Sequence, residues 1–184
     1  IKNKIKILFS EKKYEQVIEL SEKFSSPEDR PAGLINIIGI SYFLKENRNE
    51  NDIKTALSFF ELTYLKDKNT IHGLNGLKNL ILMGIKASIE FKNLSNFLIN
   101  AKKHFIDAEK YFDKNEEFLN AGLVLSLHLL DINLQKKITQ KILDSNNKSK
   151  SLRGLSLFMK NYFFDSSQED YFTYAKKNSR NYLK

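Results

Sequence analysis

The sequence predicts an all-α fold, and within that class an α-solenoid of about five irregular helical hairpins. The chain of 184 residues contains only 7 glycines and 2 prolines, so few residues would interrupt a helix. Apolar residues recur three and four positions apart along most of its length, which is the spacing of one helix face. Similar helical pairs also return at a nearly constant interval, and this favours a stacked array over a single bundle.

The most regular hairpin lies between residues 31 and 68. Its first helix carries large apolar residues at helical spacing, with a glycine between them that allows another helix to approach closely. Its second helix places a small residue beside a large aromatic one, so that the two helices can pack face to face. The residues of this pattern are Ile35, Ile38, Gly39 and Tyr42 in the first helix, and Ala56, Phe60 and Thr63 in the second.

The spacing Ile35-x2-Ile38-Gly39-x2-Tyr42, followed by Ala56-x3-Phe60, resembles the tetratricopeptide repeat. This resemblance implies paired helices that stack so that the first helix of each pair lines a concave binding face. Ile35 stands where the family usually has tryptophan, and Lys68 where it has a helix-ending proline. The stretch ENRNEND at residues 46–52 makes the predicted link about five residues longer than the family norm.

The same spacing predicts four further hairpins, and together they form a single domain. The five predicted hairpins span residues 1–27, 31–68, 69–114, 115–145 and 148–184. Pro27 and Pro31 separate the first from the second. A cap at Asn69 or Thr70 begins the third, whose first helix is extended and carries Lys78 where the second hairpin has glycine.

The division into five hairpins can be tested by the spacing between equivalent positions of their second helices. Val17, Ala56, Ala101, Ile138 and Ala175 are 39, 45, 37 and 37 residues apart. A near-constant interval with local insertions is what an array of hairpins predicts. In the fourth hairpin the second helix is expected at residues 134–143, and in the fifth Ser166 or Ser167 is expected to cap it.

The formal net charge of +8 is concentrated near the end of the sequence. Up to Gln135 there are 19 basic and 18 acidic residues, whereas from Lys136 onward there are 11 and 4. Such a basic region favours acidic partners or nucleic acid. However, 26 of the 30 basic residues are lysine rather than the arginine that grips phosphate with two hydrogen bonds, so nucleic acid is the less favoured partner.

Several chemical classes have no support in the sequence. The chain has no cysteine, so it can form neither a disulfide nor a thiolate site. No apolar run reaches the twenty or so residues that a membrane span needs, and we expect a cytoplasmic protein without membrane contact. Whether a signal peptide precedes Ile1 stays open.

Side chains that carry catalysis or bind metals are also scattered. His72, His104 and His128 fall in three separate predicted helices, and their spacing matches no metal motif. His128 lies in a very apolar helix, so we expect it in the core. The pair Glu116 and Glu117 belongs to a predicted helix start, where the helix dipole favours negative charge. The sequence therefore predicts a protein that is not an enzyme and that has no catalytic, cofactor-binding or metal-binding residues.

The predicted binding site is the concave face, with a protein or peptide as its partner. Its residues are those expected to be exposed on the first helices, and asparagine suits this position because its amide both donates and accepts hydrogen bonds. They are Asn36, Ile40, Phe43, His72, Asn75, Asn79, Glu116, Leu119, Leu123, Lys150, Arg153, Leu157 and Lys160. Pairing of the apolar ends of the array into a homo-oligomer is a further expectation.

A second resemblance gives an alternative function. Asn36 and Asn75 look like the asparagine ladder of O-GlcNAc-transferase-type glycosyltransferases, and the stretch at residues 151–182 is similar to the junction between repeats and catalytic region in those enzymes. This resemblance implies the substrate-recruiting N-terminal region of a larger enzyme. Three hypotheses therefore stand: a peptide-binding module, part of a glycosyltransferase, and a binder of nucleic acid or acidic partners through the basic C-terminal quarter.

Overall fold

A computed structural model describes residues 2–23 and 26–144, and every regular element in these ranges is helical. Its α-helices are α1 (Lys2–Ser10), α2 (Tyr14–Glu22), α3 (Ala32–Leu44), α4 (Glu50–Lys66), α5 (Ile71–Glu90), α6 (Asn96–Phe112), α7 (Glu116–His128) and α8 (Ile132–Asp144). Single 3-10 turns at Pro27–Asp29 and Lys92–Leu94 precede α3 and α6. The all-α prediction is confirmed for these residues, and the predicted hairpin at 148–184 lies outside them.

The chain separates into two compact units, Ile1–Tyr111 and Phe112–Lys184, which we call the N-terminal and C-terminal units. In the N-terminal unit, α1 packs on α2, α2 on α3, α3 on α4 and α4 on α5. Contacts also join α1 to α3 and α3 to α5, so the first helices of consecutive hairpins are neighbours. In the C-terminal unit α7 packs on α8.

The first two hairpins share one hydrophobic core. Ile5 and Leu8 of α1, Val17 of α2, and Leu34 and Ile38 of α3 are buried together. Burying an aliphatic side chain of this size contributes about 1.5–3 kcal/mol. The periodic apolar residues of the sequence therefore hold α1 and α2 against α3.

The link between α3 and α4 is shorter than the sequence predicts. Oδ1 of Asn49 accepts a hydrogen bond from the backbone N–H of Asp52 at 3.0 Å, and Oδ2 of Asp52 accepts one from the N–H of Asn49 at 2.9 Å. This capping box satisfies two amides that a helix start otherwise leaves unpaired, so α4 begins at Glu50. The link spans residues 45–49, and the prediction that all of ENRNEND is link is wrong.

Two glycines let neighbouring helices approach α4 closely. A Cβ on Gly39 would lie 2.8 Å from Cε1 of Phe60, which confirms the predicted close approach of α3. A Cβ on Gly76 of α5 would lie 2.8 Å from the carbonyl oxygen of Phe60 and 2.8 Å from Cβ of Thr63. The glycine contact of the third hairpin is thus at Gly76, two residues before the position that the repeat spacing assigns to Lys78.

The third hairpin has the extended first helix that the sequence predicts. Helix α5 is 20 residues long, and Oγ1 of Thr70 accepts hydrogen bonds from the N–H groups of His72 and Gly73 at its start. Thr70 is therefore the cap, rather than Asn69. In α6 the predicted signature residues Ala101, Phe105 and Ala108 are all buried.

The C-terminal unit begins with a capped helix. Oδ1 of Asn115 accepts a hydrogen bond from the N–H of Phe118 at 3.0 Å, and Glu116 and Glu117 occupy the first turn of α7 as predicted. His128 is exposed at the last position of that helix, so the expectation that it lies in the core is wrong. The apolar residues that flank His128 in the sequence therefore do not bring it into the packed side of α7.

None of the helices in residues 2–23 and 26–144 combines the length and the apolar composition that crossing a membrane requires.

Candidate functional site

A line of side-chain contacts joins α3 to α5, the first helices of the second and third hairpins. In chain order the contacting pairs are Gly33 with His72, Asn36 with Asn79, and Phe43 with Lys86. Because the pairs occur in the same order along both helices, α3 and α5 run parallel. We call this line of contacts the α3/α5 seam, and it belongs to the face that the sequence predicts as the binding surface.

The middle of the seam is a pair of side-chain amides. Nδ2 of Asn79 donates a hydrogen bond to Oδ1 of Asn36 at 2.9 Å, and both side chains are half-buried. An asparagine amide offers two donor hydrogens and an acceptor oxygen. The mutual bond therefore leaves donors on Nδ2 of Asn36 and an acceptor on Oδ1 of Asn79, held side by side in a fixed orientation.

An open pocket of about 630 Å³ lies at the N-terminal end of the seam, and we call it the N-terminal pocket. Its apolar lining comes from the start of α3 and consists of Pro31, Ala32, Gly33, Leu34 and Ile37. Its polar lining comes from three places in the chain and consists of Lys2, Asn3 and Lys6 of α1, Asn36 of α3, and Asp67 and His72 around the start of α5. The pocket therefore lies where the first helices of three hairpins meet.

The charges around the N-terminal pocket are mostly positive. Lys2 and Lys6 are four residues apart on α1 and so lie on one face of that helix. Neither lysine forms an ion pair with a residue in the described part of the chain. Asp67 contributes one negative charge, and His72 is exposed, with its ring 3.1 Å from where a Cβ of Gly33 would stand.

The C-terminal end of the seam is closed by two cations that cover Phe43. The guanidinium carbon of Arg48 lies 5.0 Å from the centre of the Phe43 ring, and Nζ of Lys86 lies 5.8 Å from it. Arg48 also donates hydrogen bonds to the carbonyl oxygen of Phe43 and to Oε2 of Glu90, both at 2.9 Å. Phe43 is consequently only 2% exposed, and the expectation that its ring faces a partner is wrong.

Two predicted binding residues of α7 are also buried. Leu119 and Leu123 are 1% and 0% exposed, so the expectation that they are exposed is wrong. Helix α7 carries apolar or small residues around most of its circumference, and such a helix buries more than one face. The repeat spacing assigns only one buried face to each first helix, and for this reason it misplaces them.

The other predicted binding residues have different surroundings. Ile40 and Asn75 are half-buried on α3 and α5, and Glu116 is exposed at the start of α7. The hydrogen-bond partner of Asn36 is Asn79, which lies one helical turn after Asn75 on α5. Lys150, Arg153, Leu157 and Lys160 lie outside the described residues.

Sequence reasoning missed the contribution of α1 to the site. Lys2, Lys6 and Asp67 line the N-terminal pocket, but the first hairpin departs from the repeat pattern and its surface residues were not assigned. Their place at the start of α1 could have identified them. If α1 is the first helix of a stacked hairpin, its first turn lies beside the first turns of α3 and α5. Lysines four residues apart at that place would then face the same pocket.

A second polar cluster joins α4 to α6, the second helices of their hairpins. Nε2 of His104 lies 2.7 Å from Oε1 of Glu61, and the hydroxyl of Tyr64 donates to Oδ2 of Asp107 at 3.0 Å. The Tyr64 ring is fully buried, and its centre is 5.1 Å from that of the His104 ring. Burial and the bond to Asp107 raise the pKa of Tyr64, so its hydroxyl stays protonated and donating. The cluster ties the two helices together.

Asp107 should make folding more stable above about pH 4 than below about pH 2. Hydrogen bonds from Lys110, Tyr64 and Lys68 lower the pKa of Asp107 to about 2. Because the carboxyl is more acidic in the folded chain, its contribution is present above the unfolded pKa and is lost as the pH falls through the folded value. We expect Asp107→Asn to melt at a lower temperature than the wild type near neutral pH, and the gap to close towards pH 2, about where the group is protonated. Circular dichroism melts of both proteins measure the gap, and a gap that does not change with pH would contradict the prediction.

No group of three or more histidine, aspartate or glutamate side chains lies close enough to hold a metal ion within residues 2–23 and 26–144. Comparison with known proteins adds nothing to the geometry: no family model, no curated protein and no solved structure matches the chain.

Proposed function

We propose that this chain is a non-catalytic binding module of the tetratricopeptide type, in which stacked hairpins hold an extended segment of another protein along the α3/α5 seam. The observation that carries the proposal is the hydrogen-bonded pair of Asn36 and Asn79 beside the N-terminal pocket. The contacts of α1 with α3 and of α3 with α5 support the stacked arrangement.

The amide pair suits the backbone of an extended peptide. An extended segment presents N–H and C=O groups at regular intervals, and these groups need partners when they leave water. The acceptor on Asn79 and the donors on Asn36 are adjacent, so together they can bond to one N–H and one C=O of such a segment. Their mutual hydrogen bond fixes the geometry in advance, which lowers the entropy lost on binding.

The surroundings of the amide pair match this role. Ile40 lies one helical turn after Asn36 and is half-buried, so it offers apolar contact to a side chain of the segment. The N-terminal pocket lies on the other side of Asn36 and can receive a further side chain. A segment of a few residues would therefore cross apolar surface at Ile40, polar surface at the amide pair and charged surface at the pocket.

The proposal predicts that removing the amide pair weakens peptide binding without unfolding the chain. We expect the double variant Asn36→Ala, Asn79→Ala to bind peptides about tenfold more weakly, since it loses two hydrogen bonds of roughly 0.5–1.5 kcal/mol each. Binding to an array of random fifteen-residue peptides measures the loss, and circular dichroism checks the fold.

The matched control is Asn93→Ala, because Asn93 is an exposed asparagine in the turn before α6. It should leave every peptide signal unchanged. If the wild type binds no peptide above background, or if the control weakens binding as much as the double variant, the proposed function is wrong.

A further inference from the structure

The N-terminal pocket is an open concavity in which positively charged side chains outnumber negatively charged ones. Lys2 and Lys6 line it from α1, and Asn36 lines it from α3. Lysine ammonium groups and amide N–H groups are donors, and a group that accepts hydrogen bonds and carries negative charge satisfies both. The chemistry of the lining therefore selects an oxyanion.

His72 lines the same pocket from the start of α5, and its ring lies against the backbone of Gly33. The charged groups that line the pocket with it are Lys2 and Lys6 from α1 and Asp67 from the link before α5, and α3 contributes none. Two positive charges therefore face one negative charge.

We infer that the N-terminal pocket binds an anionic side chain of the captured segment, a carboxylate or a phosphorylated residue. The inference rests on the proposed function for the segment, but the pocket can be tested with small ions alone. The two lysines outnumber the single negative charge of Asp67, so the field at the pocket attracts an anion.

Sulfate and acetate serve as probes because both are negatively charged at neutral pH. Sulfate represents a phosphorylated residue and acetate a carboxylate, so the two titrations distinguish the sources. Amide NMR shifts are followed during each titration at neutral pH, with chloride replaced so that the ionic strength stays fixed. We expect saturable shifts at Gly33 and at the side-chain amide of Asn36, which both line the pocket.

Three variants separate the pocket from general attraction to a basic surface. Lys6→Gln should weaken anion binding about threefold to tenfold, because it removes one of the two positive charges. Lys4→Gln, which changes an exposed lysine on the same helix outside the lining, should leave binding unchanged. Asp67→Asn should tighten binding, because it removes the one negative charge and leaves intact the backbone carbonyl that accepts from Thr70.

Two results would overturn the inference. Shifts that do not saturate, or that are equal in Lys6→Gln and Lys4→Gln, would mean that no anion site exists. Failure of both ions to bind would mean the same, and the peptide-array result on Asn36 and Asn79 would then stand by itself. Ion binding without any peptide binding would instead remove the proposed function and keep the anion site.

Discussion

Replacing Phe60 by alanine is expected to lower the free energy of unfolding by about 3–5 kcal/mol. The ring is fully buried in α4, and it lies against α3 at the point where Gly39 leaves room for it. Removing it takes away the apolar contacts and leaves a cavity that α3 cannot close without moving its whole length. Urea unfolding followed by circular dichroism measures the change.

The matched control is Leu65→Ala on the same helix. Leu65 is 45% exposed, and substitutions at such positions usually change stability by less than about 0.5 kcal/mol. If Phe60→Ala and Leu65→Ala had similar unfolding midpoints, the ring would not be part of a packed core between α3 and α4.

Gly73→Ala is expected to have the second-largest effect, a loss of about 2–3 kcal/mol. A Cβ at this position would lie only 2.1 Å from the carbonyl oxygen of Asp67. The obstructing atom belongs to the backbone, so no change of side-chain rotamer can relieve the clash. The turn before α5 would have to shift, and the hydrogen bonds of the Thr70 cap would be weakened. Thermal melts of the purified variant measure the loss.

Gly84→Ala is the control in the same helix. Its Cβ would lie 3.1 Å from Cδ2 of Leu98, the far end of a flexible side chain that can move aside. Alanine also favours the helix by about 1 kcal/mol over glycine, so this variant should be neutral or slightly more stable than the wild type. If Gly73→Ala and Gly84→Ala lowered the melting temperature equally, the backbone contact with Asp67 would not be the cause of the loss at Gly73.

Periodicity was enough to predict the helices, because a buried face repeats every three or four residues whatever the details of packing. It could not predict where they begin. Helix α4 starts at Glu50 because Asn49 and Asp52 bond to each other's backbone. Helix α8 starts at Ile132, before the predicted residue 134, and Oδ1 of Asp131 accepts from the N–H of Leu134. Such local hydrogen bonds carry no periodic signal.

The candidate site was predictable in part. The sequence placed Asn36, His72 and Asn79 on first helices, and the structure brings Asn36 to Asn79 across the seam and to His72 around the pocket. The partner of Asn36 depends on how far α5 is displaced along α3. This displacement is set by the packing of both helices on α4. The spacing of the asparagines in the sequence contains no information about that packing.

The α3/α5 seam also bears on how the N-terminal unit loses its structure. In an array of hairpins, stability is the sum of what each hairpin contributes and of the coupling between neighbours. The contacts at Asn36 with Asn79 and at Arg48 with Glu90 join positions about 43 residues apart, in addition to the packing of α4 between the two first helices. Such coupling favours joint opening of α3, α4 and α5. A ligand that touches both asparagines would then be released when these helices open, so its residence time would depend on how strongly they are coupled.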